Sequence, residues 1–267
     1  MEREIPYDCP DEVLWGAPPL PMALSPGKIH IWRAELDESG MSIPRYYRLL
    51  SQDELRRAER YRFDSDRHRY ILRRGILREI LGFYTGTSPA RLSFDYGKRG
   101  KPELVERSGS DKINFNLSFS NRLAVFAFAR NLDIGVDIEN VCCVPEMGDM
   151  SLRFFSLFEN RALQVLPESR KNDAFFSLWT CKEAFIKATG DGMSFPLNEF
   201  CVSFGPGSPP ELLSVMGNPA AASQWSIFGF TPEIGYTAAL AARTHSFQLI
   251  YWKWEEALLD LKENLNG

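Results

Sequence analysis

One run of residues limits the architecture more than any other: Ala174 to Ala188, closed by Gly190-Asp191-Gly192. Read at about 100° per residue it is a helix, and glycine just past the last periodic position is the usual stop signal. Ala174, Leu178, Cys181, Phe185 and Ala188 form one apolar stripe, which requires a core to bury it. Trp179, Glu183 and Lys187 recur at i, i+4, i+8 on the other side, with Lys182 on the shoulder. By itself that polar side is a solvated Glu-Lys pair worth about 0.2–0.5 kcal/mol. Its meaning depends on what the rest of the chain sets opposite it.

A second pattern upstream supplies candidates. In Ile134-Gly135-Val136-Asp137-Ile138-Glu139 the three β-branched residues share one strand face, while Gly135, Asp137 and Glu139 share the other. Carboxylates two residues apart on a strand face have Cα atoms roughly 6.5 Å apart, a suitable bite for a hard divalent cation bound through oxygen. Two solvated acids at a strand end are the plainer reading.

The 267 residues suit two units of about 130 each, and 44% hydrophobic with 25% charged content predicts a packed protein. No stretch reaches the roughly 18 apolar residues of a membrane span, and the acidic start Met1-Glu2-Arg3-Glu4 lacks the basic and apolar regions of a signal peptide. Five irregularly spaced cysteines make neither a disulfide framework nor a zinc site. Cytoplasm is the expected compartment. Charge is uneven: residues 45–107 hold 16 Lys/Arg against 9 Asp/Glu, the remainder 15 against 26. Interleaved acids and a pI near 5.6 argue against nucleic acid, for which a domain pI above about 9 is typical. A small phosphate-bearing ligand suits the asymmetry better.

In chain order, residues 1–28 form a proline-rich, irregular lead-in, followed by a strand at Ile29–Ala34. Ser51-Gln52-Asp53-Glu54 is a capping box opening a helix. A longer helix over 66–83 buries Leu72, Ile76 and Ile80 and turns Arg67, Arg74 and Arg78 the other way, either as a solvated face or as a phosphate rail. His30 and His68 have no partner at metal spacing and are expected packed or solvated. Strands follow at Leu92–Tyr96, around Phe115 and Leu117, and at Leu123–Ala129, with the basic turn Gly97-Lys98-Arg99-Gly100-Lys101-Pro102 between the first two. We place a boundary near Arg130-Asn131, giving halves 29–131 and 132–267 that share a gross plan of long helix and antiparallel strands. Residues 151–166 read as one helix, with more phenylalanines than a single buried stripe needs. Strands at Gly235–Ala242 and Phe247–Trp254 and a charged helical tail end the chain.

Gly135-Val136-Asp137-Ile138-Glu139 followed by Trp179-Thr180-Cys181-Lys182-Glu183-Ala184-Phe185-Ile186-Lys187 resembles the G-x-D-x-E and W-x-x-K-E-[AS]-x-x-K motifs of the large, monomeric, surfactin-synthetase-activating 4′-phosphopantetheinyl transferases. The resemblance extends through Gly100-Lys101-Pro102 and Asn116-Leu117-Ser118, covering most of residues 29–245. It implies an α+β fold of two similar, pseudo-twofold-related halves, each a small antiparallel sheet with a long helix, and an active site in the cleft between them. It also implies a reaction: a serine of an apo acyl or peptidyl carrier protein attacks the β-phosphate of coenzyme A, taking 4′-phosphopantetheine and releasing 3′,5′-ADP. Asp137 and Glu139 would hold Mg²⁺ (Mn²⁺ is equally compatible with oxygen donors), and Glu183 would be the third ligand or the general base. Lys182 and Lys187 would neutralise phosphate charge. Lys101 and Ser118 would contact coenzyme A phosphates, with Arg67 and Arg74 at the 3′-phosphate. Trp179 would buttress the helix. One position departs: the family's Ser-His-[Ser/Thr] is Ser118-Phe119-Ser120 here, and phenylalanine cannot donate to a phosphate. Two rival functions use the same residues: a Mg²⁺-dependent nucleotide-diphosphate hydrolase, and a coenzyme A-binding module without turnover.

Overall fold

The computed structural model describes residues 13–37, 42–97, 99–105, 112–205 and 209–259. The first half runs β1 (Lys28–Glu35), α1 (Ile43–Tyr47), α2 (Gln52–Ala58), α3 (Asp64–Thr85), β2 (Phe94–Tyr96), β3 (Pro102–Leu104), β4 (Ile113–Ser120) and β5 (Leu123–Arg130). The second runs β6 (Ile134–Asn140), α4 (Met147–Phe154), α5 (Leu157–Gln164), α6 (Glu168–Thr189), β7 (Phe200–Val202), β8 (Leu212–Val215), α7 (Pro219–Ala222), β9 (Ser226–Phe230), β10 (Tyr236–Ala242) and β11 (Gln248–Lys253). No described helix is long and apolar enough to cross a membrane, and the four described cysteines are free.

Period-2 alternation in the strands sorts side chains into two opposite cores. Trp32, Ala34, Phe126 and Phe128 face α3, meeting its Leu72, Ile76 and Ile80. Ile29, Ile31, Val125 and Ala127 face the other way and pack on Val136, Ile138, Ala238 and Leu240 of the second sheet. That sheet turns Ala239 and Ala241 to the apolar stripe of α6. The order is therefore helix, sheet, sheet, helix, and it explains why β5 is buried on both faces. The first sheet runs β11-β1-β5-β4 and the second β6-β10-β9. β11, expected with the second half, instead pairs in parallel with β1, and Trp254, Leu258 and Leu259 behind it fill the first core. Residues beyond 259, including most of the expected helical tail, lie outside the described residues.

The halves repeat one device that periodicity does not reveal. Ser51 and Ser156 each open a short helix in a capping box, and each box ends on a fully buried glutamate, Glu54 or Glu159. That glutamate reaches a base on the long helix of its own half. Glu54 binds Arg74 and Arg78 of α3; Glu159 receives Lys182 of α6 at 2.7 and 2.8 Å. α3 and α6 are each 22 residues long and each ends on a left-handed glycine, Gly86 and Gly190. The second capping box also breaks the single helix expected over 151–166, because Ser156 must leave helical geometry to cap α5.

Two predictions follow from these buried polar groups. Glu159 also accepts from the Val202 amide, and Lys182 donates to Phe200 O, so the pair ties α5, α6 and β7 together. Glu159→Gln strands a buried ammonium and is expected to lower unfolding free energy by about 3–5 kcal/mol, most of it recovered by adding Lys182→Met; denaturant melts of single and double variants measure both. In the first half, Tyr84 Oη accepts from Trp32 Nε1 and so donates its own proton to His30 Nδ1, 2.8 Å away, which keeps that nitrogen an acceptor. Burial, reinforced by Lys28, lowers the His30 pKa from 6.5 to about 4. Below pH 6.5 the unfolded chain takes a proton that the folded one refuses, so this contribution is complete above 6.5 and is lost as pH falls toward 4. Wild type should lose more stability than His30→Gln between pH 7 and 4.5, read from denaturation midpoints.

Candidate functional site

A cleft of about 520 Å³ lies where β4 of the first half meets β6 and α6 of the second. β4 and β6 are joined through side chains. Asn116 Oδ1 accepts from the Val136 amide at 2.9 Å, Ser118 Oγ donates to Asp137 Oδ1 at 2.8 Å, and Ser120 Oγ donates to Glu139 Oε2 at 2.9 Å. The polar alternation of β4 thus anchors the acidic alternation of β6. Gly135 supplies the third side of the junction: a Cβ there would collide with the Ala184 carbonyl and Ala188 amide of α6. Only glycine lets the helix backbone come that close, and the approach sets Glu183 and Lys187 over Asp137 and Glu139.

Lys187 Nζ completes the junction, donating to Asp137 Oδ1 at 2.6 Å and to Ser118 Oγ at 2.8 Å. Asp137 is 3% exposed, and its Oδ2, like Glu183 Oε1, is buried without a partner. Burial, followed by the neighbouring charge of Asp137, raises the carboxyl pKa of both Glu139 and Glu183. Among the described residues no group of three His, Cys, Asp or Glu side chains is placed to hold a metal ion. Lys187 and Ser118 bind Asp137 Oδ1, and Ser120 binds one oxygen of Glu139. The donors nevertheless fit a hard cation in kind, since two buried carboxylate oxygens lack any partner and three acids crowd one wall.

The other expected residues divide. Ser118, Asp137, Glu139, Glu183, Lys187 and Arg74 line the cleft, as does Trp179, which also stacks on Phe175 at 20° between planes. Lys182 does not. Its side chain is wholly buried on Glu159 behind the helix, so it is corrected from phosphate ligand to structural cation. Lys101 faces away too. Its ammonium caps the C-terminal end of α6 through Lys187 O at 2.7 Å and also donates to Ile134 O of β6 at 3.1 Å, beside a separate cavity of about 390 Å³, while Gly100 and Pro102 line the cleft. Arg67 is half-buried, paired with Asp64, and outside the cleft wall. Arg74 touches the cleft, but its guanidinium is held by Glu54. The surplus phenylalanines also divide: Phe155 is buried, Phe154 packs on Trp179, and Leu157 and Phe158 are exposed.

Four lining residues were not anticipated: Arg57, Tyr70, Arg73 and Tyr96. Tyr70, Arg73 and Arg74 lie at i, i+3 and i+4, so the face of α3 that meets the cleft is one step round from the Arg67–Arg74–Arg78 line. Choosing between those faces needs the position of Glu54, which comes from another helix.

Comparison with known proteins identifies the family. Residues 37–131 match the family described as 4′-phosphopantetheinyl transferase, N-terminal, and residues 133–242 match the 4′-phosphopantetheinyl transferase superfamily. The chain is 36% identical over 240 residues to the 4′-phosphopantetheinyl transferase HetI of Nostoc sp., spanning 90% of this chain and 98% of that one. It is 32% identical over 161 residues to the 4′-phosphopantetheinyl transferase Sfp of Bacillus subtilis, across 59% of this chain and 68% of that protein. Among solved structures, an ACPS–CoA complex of Chronobacterium ammoniagenes aligns at 21% identity and a TM-score of 0.34, covering 43% of this chain and 98% of that one. Matched along nearly its whole length by such a relative and in both halves by family descriptions, the chain belongs to the 4′-phosphopantetheinyl transferase family.

Proposed function

We infer that the protein transfers the 4′-phosphopantetheine group of coenzyme A to a serine hydroxyl of an apo carrier protein, releasing 3′,5′-ADP. The observation that carries this reading is the composition of the cleft where β4, β6 and α6 meet. Three carboxylates and Lys187 stand on one wall, and arginines with aromatic rings stand on the other. Acids without a substrate cation would repel a pyrophosphate, and cations alone would bind it without chemistry. Together they suit phosphoryl transfer, which rests mainly on positioning and charge neutralisation.

In this reading the serine Oγ forms a bond to the β-phosphorus as the bond from that phosphorus to the bridging oxygen breaks, so the electron pair leaves on 3′,5′-ADP. Glu183 takes the serine proton. Its buried position and the charge of Asp137 raise its pKa, making it a stronger base than a solvated carboxylate. Lys187, fixed by Asp137 and Ser118, offsets negative charge gathering on the phosphate oxygens. Asp137 and Glu139, with Glu183 beside them, would hold Mg²⁺, which supplies Lewis-acid polarisation of the phosphoryl group. Ser120 keeps Glu139 turned to the cleft.

Incubating the protein with coenzyme A, Mg²⁺ and an apo carrier protein, then weighing the carrier, should give a gain of one phosphopantetheine; coenzyme A cleavage without that gain contradicts the reading. Asp137→Asn and Glu183→Gln should each slow transfer by about 10²- to 10⁴-fold while circular dichroism stays unchanged. Chelation by EDTA should stop transfer, and added Mg²⁺ should restore it. Full activity in either variant removes that residue from the site.

A further inference from the structure

Lys101 belongs to the first half, but its ammonium works on the second. Nζ donates to Lys187 O at 2.7 Å, Ile134 O at 3.1 Å and Ala188 O at 3.4 Å, all main-chain carbonyls. Lys187 and Ala188 lie in the last turn of α6, where carbonyls lack amide partners within the helix and its dipole is negative. Ile134 opens β6 beside Gly135, where a Cβ would strike the main chain of Lys187. The ammonium therefore spans the point where α6 and β6 meet backbone to backbone. The same turn grips the residues that follow, since Arg99 pairs with Asp191 at 3.4 Å, just past the left-handed Gly190. Three carbonyls match the three donors of an ammonium, which leaves none of them for a phosphate. At the far end of its own side chain, Lys187 Nζ rests on Asp137 Oδ1 at 2.6 Å and Ser118 Oγ at 2.8 Å.

We propose that Lys101 is a positioning residue for transfer: by fixing the main chain at Lys187 it keeps the Lys187 ammonium at the reacting phosphate, and it does not touch coenzyme A. This rests on the reading above that transfer takes place in the cleft. The resemblance led us to expect the opposite of Lys101, a phosphate contact. Without its ammonium the last-turn carbonyls of α6 lose their partner, the turn loosens from Gly135, and the reach of Lys187 is no longer fixed at its root.

A double-mutant cycle on the full chain tests this, read by single-turnover transfer to an apo carrier protein at saturating coenzyme A and Mg²⁺, and by isothermal titration with coenzyme A. Lys101→Met should slow transfer by about 10- to 100-fold, the scale of a reacting group displaced by about 1 Å. Added to Lys187→Met, which removes the ammonium that Lys101 positions, it should change the rate by less than about twofold. Lys101→Arg, which keeps a cation on the carbonyls, should restore most of the rate. Lys101→Gln, which keeps a donor, enters the same cycle if Lys101→Met fails to fold. Equal slowing in both backgrounds overturns the route through Lys187, and so does a lowered melting midpoint with an unchanged rate. Titration decides where the Lys187→Met rate falls below detection: Lys101→Met should leave coenzyme A affinity unchanged in that background. If it weakens coenzyme A there as much as in wild type, Lys101 is itself a ligand of coenzyme A and the proposal fails. A wild-type chain that transfers nothing overturns the reading of the cleft instead.

Discussion

The cleft depends on one hydrogen-bonded junction: Ser118 from the first half, Asp137 from the second sheet and Lys187 from the second long helix meet through Asp137 Oδ1. Each partner solves a problem for the others. A nearly buried carboxylate is costly unless charge and donors surround it, and the ammonium and hydroxyl supply both. Because the three come from separate elements, satisfying Asp137 also fixes the angle between β4, β6 and α6. Gly135 makes that possible by letting the α6 backbone lie directly on the strand. The arrangement is only half satisfied, since Asp137 Oδ2 and Glu183 Oε1 are buried without partners. Such residual cost is what a site that binds an external cation or a proton carries.

Stability and chemistry are assigned to different faces of the same helices. α6 spends Lys182 on Glu159 behind it and keeps Glu183 and Lys187 for the cleft. α3 spends Arg74 and Arg78 on Glu54 and leaves Arg73 uncompensated. The two capping-box glutamates thus decide which basic residues remain available to a ligand. That shared logic, with the equal helix lengths and matching glycine caps, makes the halves versions of one unit, although β11 crosses back to complete the first sheet.

Much of this was legible in the chain. Period-2 alternation located β6 and put Asp137 and Glu139 on the face opposite Ile134, Val136 and Ile138, which pack on the first sheet. The stripe on α6 was equally plain. The bases were less legible. Lys182 and Lys187 differ by five positions on one helix, and only the location of Glu159, 23 residues earlier, decides that one is entombed. Lys101 sits in a turn whose glycine and proline reach the cleft while its ammonium caps a helix from the other half. Long side chains choose partners by tertiary position, which local periodicity does not encode. The capping box at Ser156-Leu157-Phe158-Glu159 was a readable signal, of the same form as the one at Ser51, and it points to the glutamate that claims Lys182.

The central claim is that one cleft, built from both halves, receives coenzyme A and acts on it. A crystal structure of the protein with coenzyme A and Mg²⁺ tests it most directly. The account predicts the pyrophosphate beside Lys187, facing Asp137, Glu139 and Glu183. Coenzyme A lodged in the cavity beside Lys101 and Arg99, with the carboxylate wall left to solvent, would contradict it.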